Sequence, residues 1–335
     1  MNSVIHFLVN SSGPQPVSYF DSNFRPLERV VRINGYPHGV LQELLAAVCR
    51  RAEQEGTSFQ VIHHCLDNSM QGVILPERSA GIYGFDAYDP DEPSLLAALG
   101  SEPLKSVQEN ISAARETFRQ ARAFHDRQET IYLKHMDFDK ANLITEQTIA
   151  RLLGEKSAEG PGAETHRFFG AATADGNLDY IPEVTADLPR RYFVKGRPGT
   201  GKSTFLKKIA AAARERGFAV ETYHCSLDPK SLDLIAVREL GFCLMDSTAP
   251  HEYFPSRDGD EIIDLYRECV VPGTDEAYAQ ELGELQKSYK SLVAKAIDFL
   301  KQAKASGDRF EASLPQLEQG AVDAARATAM AKLFA

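Results

Sequence analysis

No apolar run in the 335 residues approaches the roughly 20 needed to span a bilayer. The opening stretch, MNSVIHFLVNSSG, has neither the basic lead nor the full apolar core of a secretion signal. A cytoplasmic protein with no membrane association is therefore expected. Positive charge is short as well: 37 Lys and Arg face 47 Asp and Glu, a net charge of −10, which gives no general attraction to phosphate backbones or anionic lipid. No nucleic-acid partner is expected, and Lys207, Lys208, Arg214 and Arg216 are read as the solvated face of an amphipathic helix. The five cysteines (Cys49, Cys65, Cys225, Cys243, Cys269) are odd in number and never form a C-x-x-C pair. That excludes a disulfide framework and a structural zinc site. A G-x-G-x-x-G run is missing too, so a dinucleotide-binding domain is not expected. What remains is 43% hydrophobic and 25% charged, ordinary globular composition with length for about two domains.

The chain contains itself twice. The stretch RVVRINGYPHGVLQELLAAVCRRAEQEGTSFQVIHHC from Arg29 lies on RYFVKGRPGTGKSTFLKKIAAAARERGFAVETYHC from Arg191 with two single-residue gaps. Gly35 falls on Gly196, Pro37 on Pro198, Gly56 on Gly217, and His64-Cys65 on His224-Cys225. Two domains follow, 1–157 and 158–335, with the seam in EKSAEGPGAET, residues 155–165.

Both halves read alike: a β-rich lead, a strand ending at Gly35 or Lys195, a helix, a strand closing on His-Cys, and another apolar strand. Strand, helix, strand in that order predicts βαβ crossovers and mainly parallel sheets, an α/β fold. Each half then turns helical. Leu104, Val107, Ile111, Ala114, Phe118 and Ala121 recur at steps of three and four, as do Tyr278, Leu282, Leu285, Tyr289, Leu292, Ala296 and Phe299. These helical arms are read as core seams, with a protein partner or self-association as the alternative.

Residues Gly196 to Ser203, GRPGTGKS, fill the G-x-x-x-x-G-K-[ST] pattern between the strand-like YFVK and the helix-forming TFLKKIAAAARER. In such a loop successive backbone N–H groups point inward at a phosphate. Gly196, Gly199 and Gly201 permit the close approach, Arg197 and Pro198 shape the loop, and Pro198 and Thr200 are counted with the glycines among the nucleotide-binding residues. Lys202 is expected on the β- and γ-phosphates, Ser203 on Mg²⁺ and Thr204 as a second-line hydroxyl, with the helix dipole aimed at the anion. The apolar stretch LGFCLM, Leu240 to Met245, closes on Asp246, 43 residues after Ser203. A buried strand delivering one carboxylate is the Walker B pattern, so Asp246 is expected on the metal side. Ser247 and Thr248 follow in place of an acidic residue, which does not support rapid hydrolysis. His251, Glu252, Asp228 and Asp233 are candidates for orienting the attacking group.

The first half has GYPHGVLQ at Gly35 to Gln42, with Leu41 at the lysine position and Gln42 at the serine. Gly84 stands where Asp246 does, and Asp86 two residues on is a possible shifted substitute. This half is read as a pseudo-NTPase.

GRPGTGKST, the segment HCSLDPKSLD from His224 to Asp233, and LMDSTAPH from Leu244 to His251 together resemble a bacterial family of tandem P-loop ATPases. The likeness extends over essentially the whole chain and implies two tandem P-loop NTPase-like domains, with ATP held at Gly196 to Thr204 and Asp246 beside Mg²⁺. Both halves of that family can carry an intact loop, so Leu41 is a departure from it. The leading expectation is slow Mg²⁺-dependent ATP hydrolysis coupled to a conformational switch. ATP is expected over GTP because no [NT]KxD segment follows the loop. The alternatives are a small-molecule or nucleotide kinase, with a carboxylate such as Asp228 placing the acceptor hydroxyl, and a non-catalytic module that senses nucleotide.

Overall fold

The apolar runs of the sequence condense into strands and helices in a computed structural model, which describes residues 4–13, 15–85 and 102–335. In chain order they are β1 (Val4–Phe7), α1 (Phe20–Phe24), β2 (Arg29–Asn34), α2 (His38–Gln54), β3 (Gln60–His63), β4 (Met70–Leu75), β5 (Ala80–Phe85), α3 (Glu102–Leu133) and α4 (Phe138–Leu153). The second half continues with β6 (Glu164–Arg167), β7 (Gly170–Thr173), β8 (Gly176–Asp179), α5 (Ile181–Val184), β9 (Arg190–Lys195), α6 (Lys202–Glu215), β10 (Val220–His224), β11 (Leu232–Val237) and β12 (Phe242–Asp246). It ends with β13 (Asp260–Asp264), α7 (Leu265–Cys269), α8 (Thr274–Ala277), α9 (Ala279–Ser313) and α10 (Gln319–Leu333). Asp86 lies outside the described residues. Among the described residues no helix is long and apolar enough to cross a membrane.

Packing divides the chain into two compact units, each drawn from separate stretches. One holds Met1–Thr117, Phe168–Val184 and Ala294–Ala335; the other holds Phe118–Arg167 and Thr185–Val293. The first unit carries a sheet in the order β1-β3-β4-β5-β2, and the second a sheet in the order β13-β9-β12-β11-β10-β6. Read from its β6 end, the second repeats the first: β6, β10, β11, β12 and β9 stand for β1, β3, β4, β5 and β2, with β13 added beyond β9. Pair directions repeat as well. The outer pairs β1–β3 and β5–β2 are parallel, as are β6–β10 and β12–β9, whereas β3–β4–β5 and β10–β11–β12 run antiparallel.

The sheets are therefore mixed, and the sequence reading missed β4 and β11, one in each copy of the repeat, as well as β13 beyond it. A parallel return needs a crossover of a dozen or more residues. The turns 64–69 and 225–231 are shorter than that, so β4 and β11 fold straight back.

Strand register corrects the alignment of the repeat. Met70 pairs with His63, and Leu232 with His224, each at a β-bulge that interrupts the strand. His63, not His64, is thus the counterpart of His224. Aligned this way, the halves match without a gap from Arg29 and Arg190 onward, and the extra residue falls in the turn 225–231. Both β4–β5 and β11–β12 turns close on a left-handed residue, Ser79 (φ 47°) and Gly241 (φ 67°). Ser79 holds there a conformation that glycine adopts more cheaply.

The core of the second unit forms where α6 lies on its sheet. Phe205, Leu206, Ile209, Ala210 and Ala213 recur at helical spacing and pack with Val194, Ile235 and Leu244. Each large apolar side chain buried this way contributes about 1.5–3 kcal/mol. Leu152 and Leu153 of α4 belong to the same cluster. In the first unit α2 does the same work with Leu41, Leu44, Leu45 and Val48, joined by Ala329 and Leu333 of α10.

Candidate functional site

The loop 196–201 leaves the carboxyl end of β9 and turns into α6. Gly199 (φ 81°) and Gly201 (φ 79°) both adopt the left-handed region, which side chains resist. Gly201 is the residue before the helix, and no side chain caps α6. The first N–H groups of α6 are thus left to an anion or to water. Inside the loop the carbonyl of Arg197 gathers three donors: the Thr200 N–H at 3.2 Å, the Thr200 hydroxyl at 2.8 Å and the Lys202 ammonium at 2.8 Å. Gly196 is enclosed, since an added Cβ would stand 2.3 Å from Thr200 Oγ1. Thr200 and Lys202 are buried, Pro198 and Ser203 half-buried and Thr204 exposed.

The other wall is the edge of β11 and β12. Lys202 Nζ lies 3.6 Å from Asp246 Oδ2, so the ammonium is shared between the loop and the sheet edge. The Thr248 hydroxyl donates to Asp246 Oδ1 at 2.5 Å. The pairing of Leu234 with Met245 continues to set Asp233 across from Asp246. Burial, and then the neighbouring Asp246 carboxylate, push the Asp233 carboxyl up to about 7, against the pull of His251 and Lys202. Ser203 Oγ accepts the N–H of Leu232 at 3.0 Å, tying the start of α6 to the start of β11. Ser203, Asp246 and Asp233 together offer hydroxyl and carboxylate oxygens, the donor chemistry that Mg²⁺ selects.

The second part of α3 covers the loop. A Cβ on Gly199 would stand 2.6 Å from the carbonyl oxygen of Glu129 and 2.9 Å from its Cα, so helix backbone meets loop backbone directly. Near that point the Tyr132 hydroxyl donates to Asp275 Oδ1 at 2.8 Å, Arg197 Nη2 donates to Asp275 Oδ2 at 3.0 Å, and the Arg197 guanidinium lies over Tyr266. Two turns earlier Arg122 Nη1 sits 2.9 Å from Asp228 Oδ1. His125, Asp126 and Glu129 bring possible ligand atoms within 4.8 Å of one another. Burial lowers the pKa of His125 and, followed by the Asp126 charge, raises that of Glu129; both side chains also feel Lys202 and Arg122.

The equivalent place in the first unit is filled by apolar packing. Leu41 stands at the lysine position, and an added Cβ on Gly84 would be 2.6 Å from Leu41 Cδ1. Gly84 pairs with Ile33 as Asp246 pairs with Val194, so Gly84 and Asp246 are true counterparts. An ion pair in one copy has become a leucine on a glycine in the other. Gln42, at the serine position, exchanges two hydrogen bonds with the backbone of Met70, at 2.7 and 2.9 Å; the anchoring role of Ser203 survives there in amide form. The N–H of His38, the first residue of α2, donates to Glu311 Oε2 at 2.9 Å. A carboxylate of the chain itself thus sits at this helix N-terminus, where a helix dipole favours negative charge. Asp67, matching Asp228 after the shared leucine, lies 3.5 Å from His64 and 3.7 Å from His38.

The residues named from the sequence therefore separate. Gly196, Pro198, Gly199, Thr200, Gly201, Lys202, Ser203 and Asp246 come together; Thr204 points outward. Of the further candidates, Asp233 and His251 join Asp246, Asp228 is engaged by Arg122, and Glu252 lies 3.5 Å from Lys195. His224 serves packing: its ring bonds His166 and the Pro229 carbonyl, and burial holds its pKa down to about 4. The α3 residues were missed because nothing local in the sequence ties residue 122 or 129 to residue 199. Two surface clefts, one of about 350 Å³ between α4 and α6 and one of about 180 Å³ beside Lys134 and Tyr278, contain no loop residue. Comparison with known protein families, with curated proteins and with solved structures finds no match for this chain.

Proposed function

We propose that the second of two tandem P-loop NTPase-like copies binds Mg–ATP at Gly196 to Ser203 and hydrolyses it slowly, the first copy serving as a pseudo-NTPase. One observation carries the reading: α6 opens uncapped out of a left-handed glycine, with a buried lysine held between the loop carbonyl and the Asp246 carboxylate. Backbone N–H groups of the loop bind the β-phosphate. Lys202 leaves the Arg197 carbonyl for the β- and γ-phosphate oxygens. Ser203 and Asp246 hold the metal side, with Asp233 as a neighbouring carboxylate. Mg²⁺ held by these residues would supply neutralisation of the phosphate charge. Hydrolysis is slow because Ser247 and Thr248 follow Asp246 where a water-polarising carboxylate would stand.

The test is phosphate release from ATP and GTP together with calorimetric titration of Mg–ATP. Lys202→Ala is expected to remove most of the affinity, at least about tenfold, since charge-assisted hydrogen bonds contribute about 1.5–3 kcal/mol. Asp246→Asn is expected to weaken the Mg²⁺ dependence more than the nucleotide affinity. An unaltered titration for Lys202→Ala would refute the reading.

A further inference from the structure

Resting on the Mg–ATP reading, we propose that Arg122 is the residue that reads the γ-phosphate, carried in cis by α3 and held by Asp228 until a triphosphate competes for it. The helix that bears it is fixed against the loop, backbone to backbone at Gly199 and Glu129, and through Tyr132, Asp275 and Arg197. Arg122, His125 and Glu129 are spaced i, i+3, i+7 and so share one helix face. Because Glu129 marks where that face meets the loop, Arg122 stands about 10 Å further along the helix, over the turn that carries Asp228. That turn follows β10, at the sheet end where Lys202, Asp233 and Asp246 gather. His125 and Glu129 feel Lys202 and Arg122 together, so the two cations flank one small region.

The first copy gives the contrast. There the loop has lost its lysine, and α9 brings a carboxylate to it, with Glu311 accepting the N–H of His38. In the second copy the loop has kept its lysine, and α3 brings a guanidinium. Two cations flanking one small region, Lys202 from the loop and Arg122 from α3 over the Asp228 turn, are complementary to an anion of more than one charge, and the planar fork of arginine fits phosphate oxygens bidentately. Asp228 and Asp126 hold that fork meanwhile, at 2.9 and 3.5 Å. A triphosphate competes with Asp228 for Arg122; a diphosphate, lacking the γ-phosphate, leaves the pair in place.

The test uses the full chain and calorimetric titration of two probes, a non-hydrolysable ATP analogue and ADP, each with Mg²⁺. Arg122→Ala is expected to lower affinity for the triphosphate analogue about tenfold to a hundredfold and leave ADP affinity unchanged, with Arg122→Lys recovering part of the loss. Asp228→Asn frees the guanidinium and is expected to raise triphosphate affinity severalfold. A merely structural ion pair predicts that both variants shift in the same direction for both nucleotides, and that result overturns the proposal. So does unchanged discrimination between the analogue and ADP in Arg122→Ala. Failure of the wild-type chain to bind either nucleotide overturns the Mg–ATP reading and this proposal with it, and is told apart because the other adverse results leave wild-type binding intact. Circular dichroism checks the fold of each variant; should Arg122→Ala not fold, Arg122→Gln and Asp228→Asn decide the question.

Discussion

Lys202 and Leu41 occupy the same place in two copies of one helix start, and the residue each faces has changed with it. Lys202 faces Asp246 at 3.6 Å; Leu41, 2% exposed, lies on Gly84. Removing one member of a partly enclosed charge pair leaves the other uncompensated, which is costlier than never having had the pair. The first copy has replaced both members. Restoring the lysine alone, Leu41→Lys, therefore does not restore a nucleotide site. It puts an ammonium against a glycine and among Leu44, Val73 and Ile82 of the same core. We predict a destabilisation on the order of 3 kcal/mol, read from urea unfolding, with no gain in Mg–ATP affinity. A variant as stable as the wild type would mean that the leucine packing does not hold the first loop shut.

At the scale of elements, the loop and its helix were legible in the sequence because the constraint is local. Eight consecutive residues specify the turn, and the strand before it and the helix after it are neighbours in the chain. Strand β12 was legible for the same reason, as an apolar run ending on an acid. Strands β4 and β11 were not: LDLIAV runs into a single 3₁₀ turn, Arg238–Leu240, and then FCLMD, and the Arg-Glu-Leu-Gly sequence between them carries no strong breaker before its glycine. Even the register of the repeat escaped, because two adjacent histidines at 63 and 64 let the alignment slip by one. The edge strand β13 shows a further constraint that no motif encodes. Asp260, its first residue, accepts two hydrogen bonds from Arg191 at 2.8 and 2.6 Å, and two from the N–H groups of Ser256 and Arg257 at 2.8 and 3.2 Å. The Arg191 hydrogen bond, opposed by burial and helped by those backbone donors, holds the Asp260 carboxyl down to about 2. A carboxyl depressed in the folded state contributes stability that is present above its ordinary pKa and is lost as pH falls through about 2. Asp260→Asn is thus expected to cost about 1–2 kcal/mol at neutral pH, allowing for solvent screening. The gap to wild type should narrow below about pH 4. A gap that stays constant from pH 7 to pH 2.5 in thermal melting would assign the loss to shape and not to charge.

At the scale of the whole molecule, the repeat in the sequence and the packing of the chain divide it differently. The repeat runs along the chain, one half after the other. Packing instead assigns Phe118–Arg167 to the unit that holds the loop Gly196 to Ser203, and Ala294–Ala335 to the unit that holds Gly35 to Gln42. The reason lies in the cores. Leu152 (1% exposed) and Leu153 (0%) of α4 are enclosed with Phe205, Leu206 and Ile209 of α6, and Glu129 of α3 closes on Gly199. A fragment cut at the seam, residues 158–335, keeps every residue of the glycine-rich loop Gly196 to Ser203 yet lacks those packing partners. Each enclosed leucine removed costs about 2–5 kcal/mol, against a total stability of about 5–15 kcal/mol for a domain. Residues 158–335 alone are therefore expected to unfold without a cooperative transition and to bind Mg–ATP far more weakly than the full chain. Adding residues 118–157 to the same fragment as a separate segment should recover part of both. If instead 158–335 melts as sharply as the intact protein and titrates with equal affinity, the α3 and α4 segment is a covering and not a component of the unit it packs in.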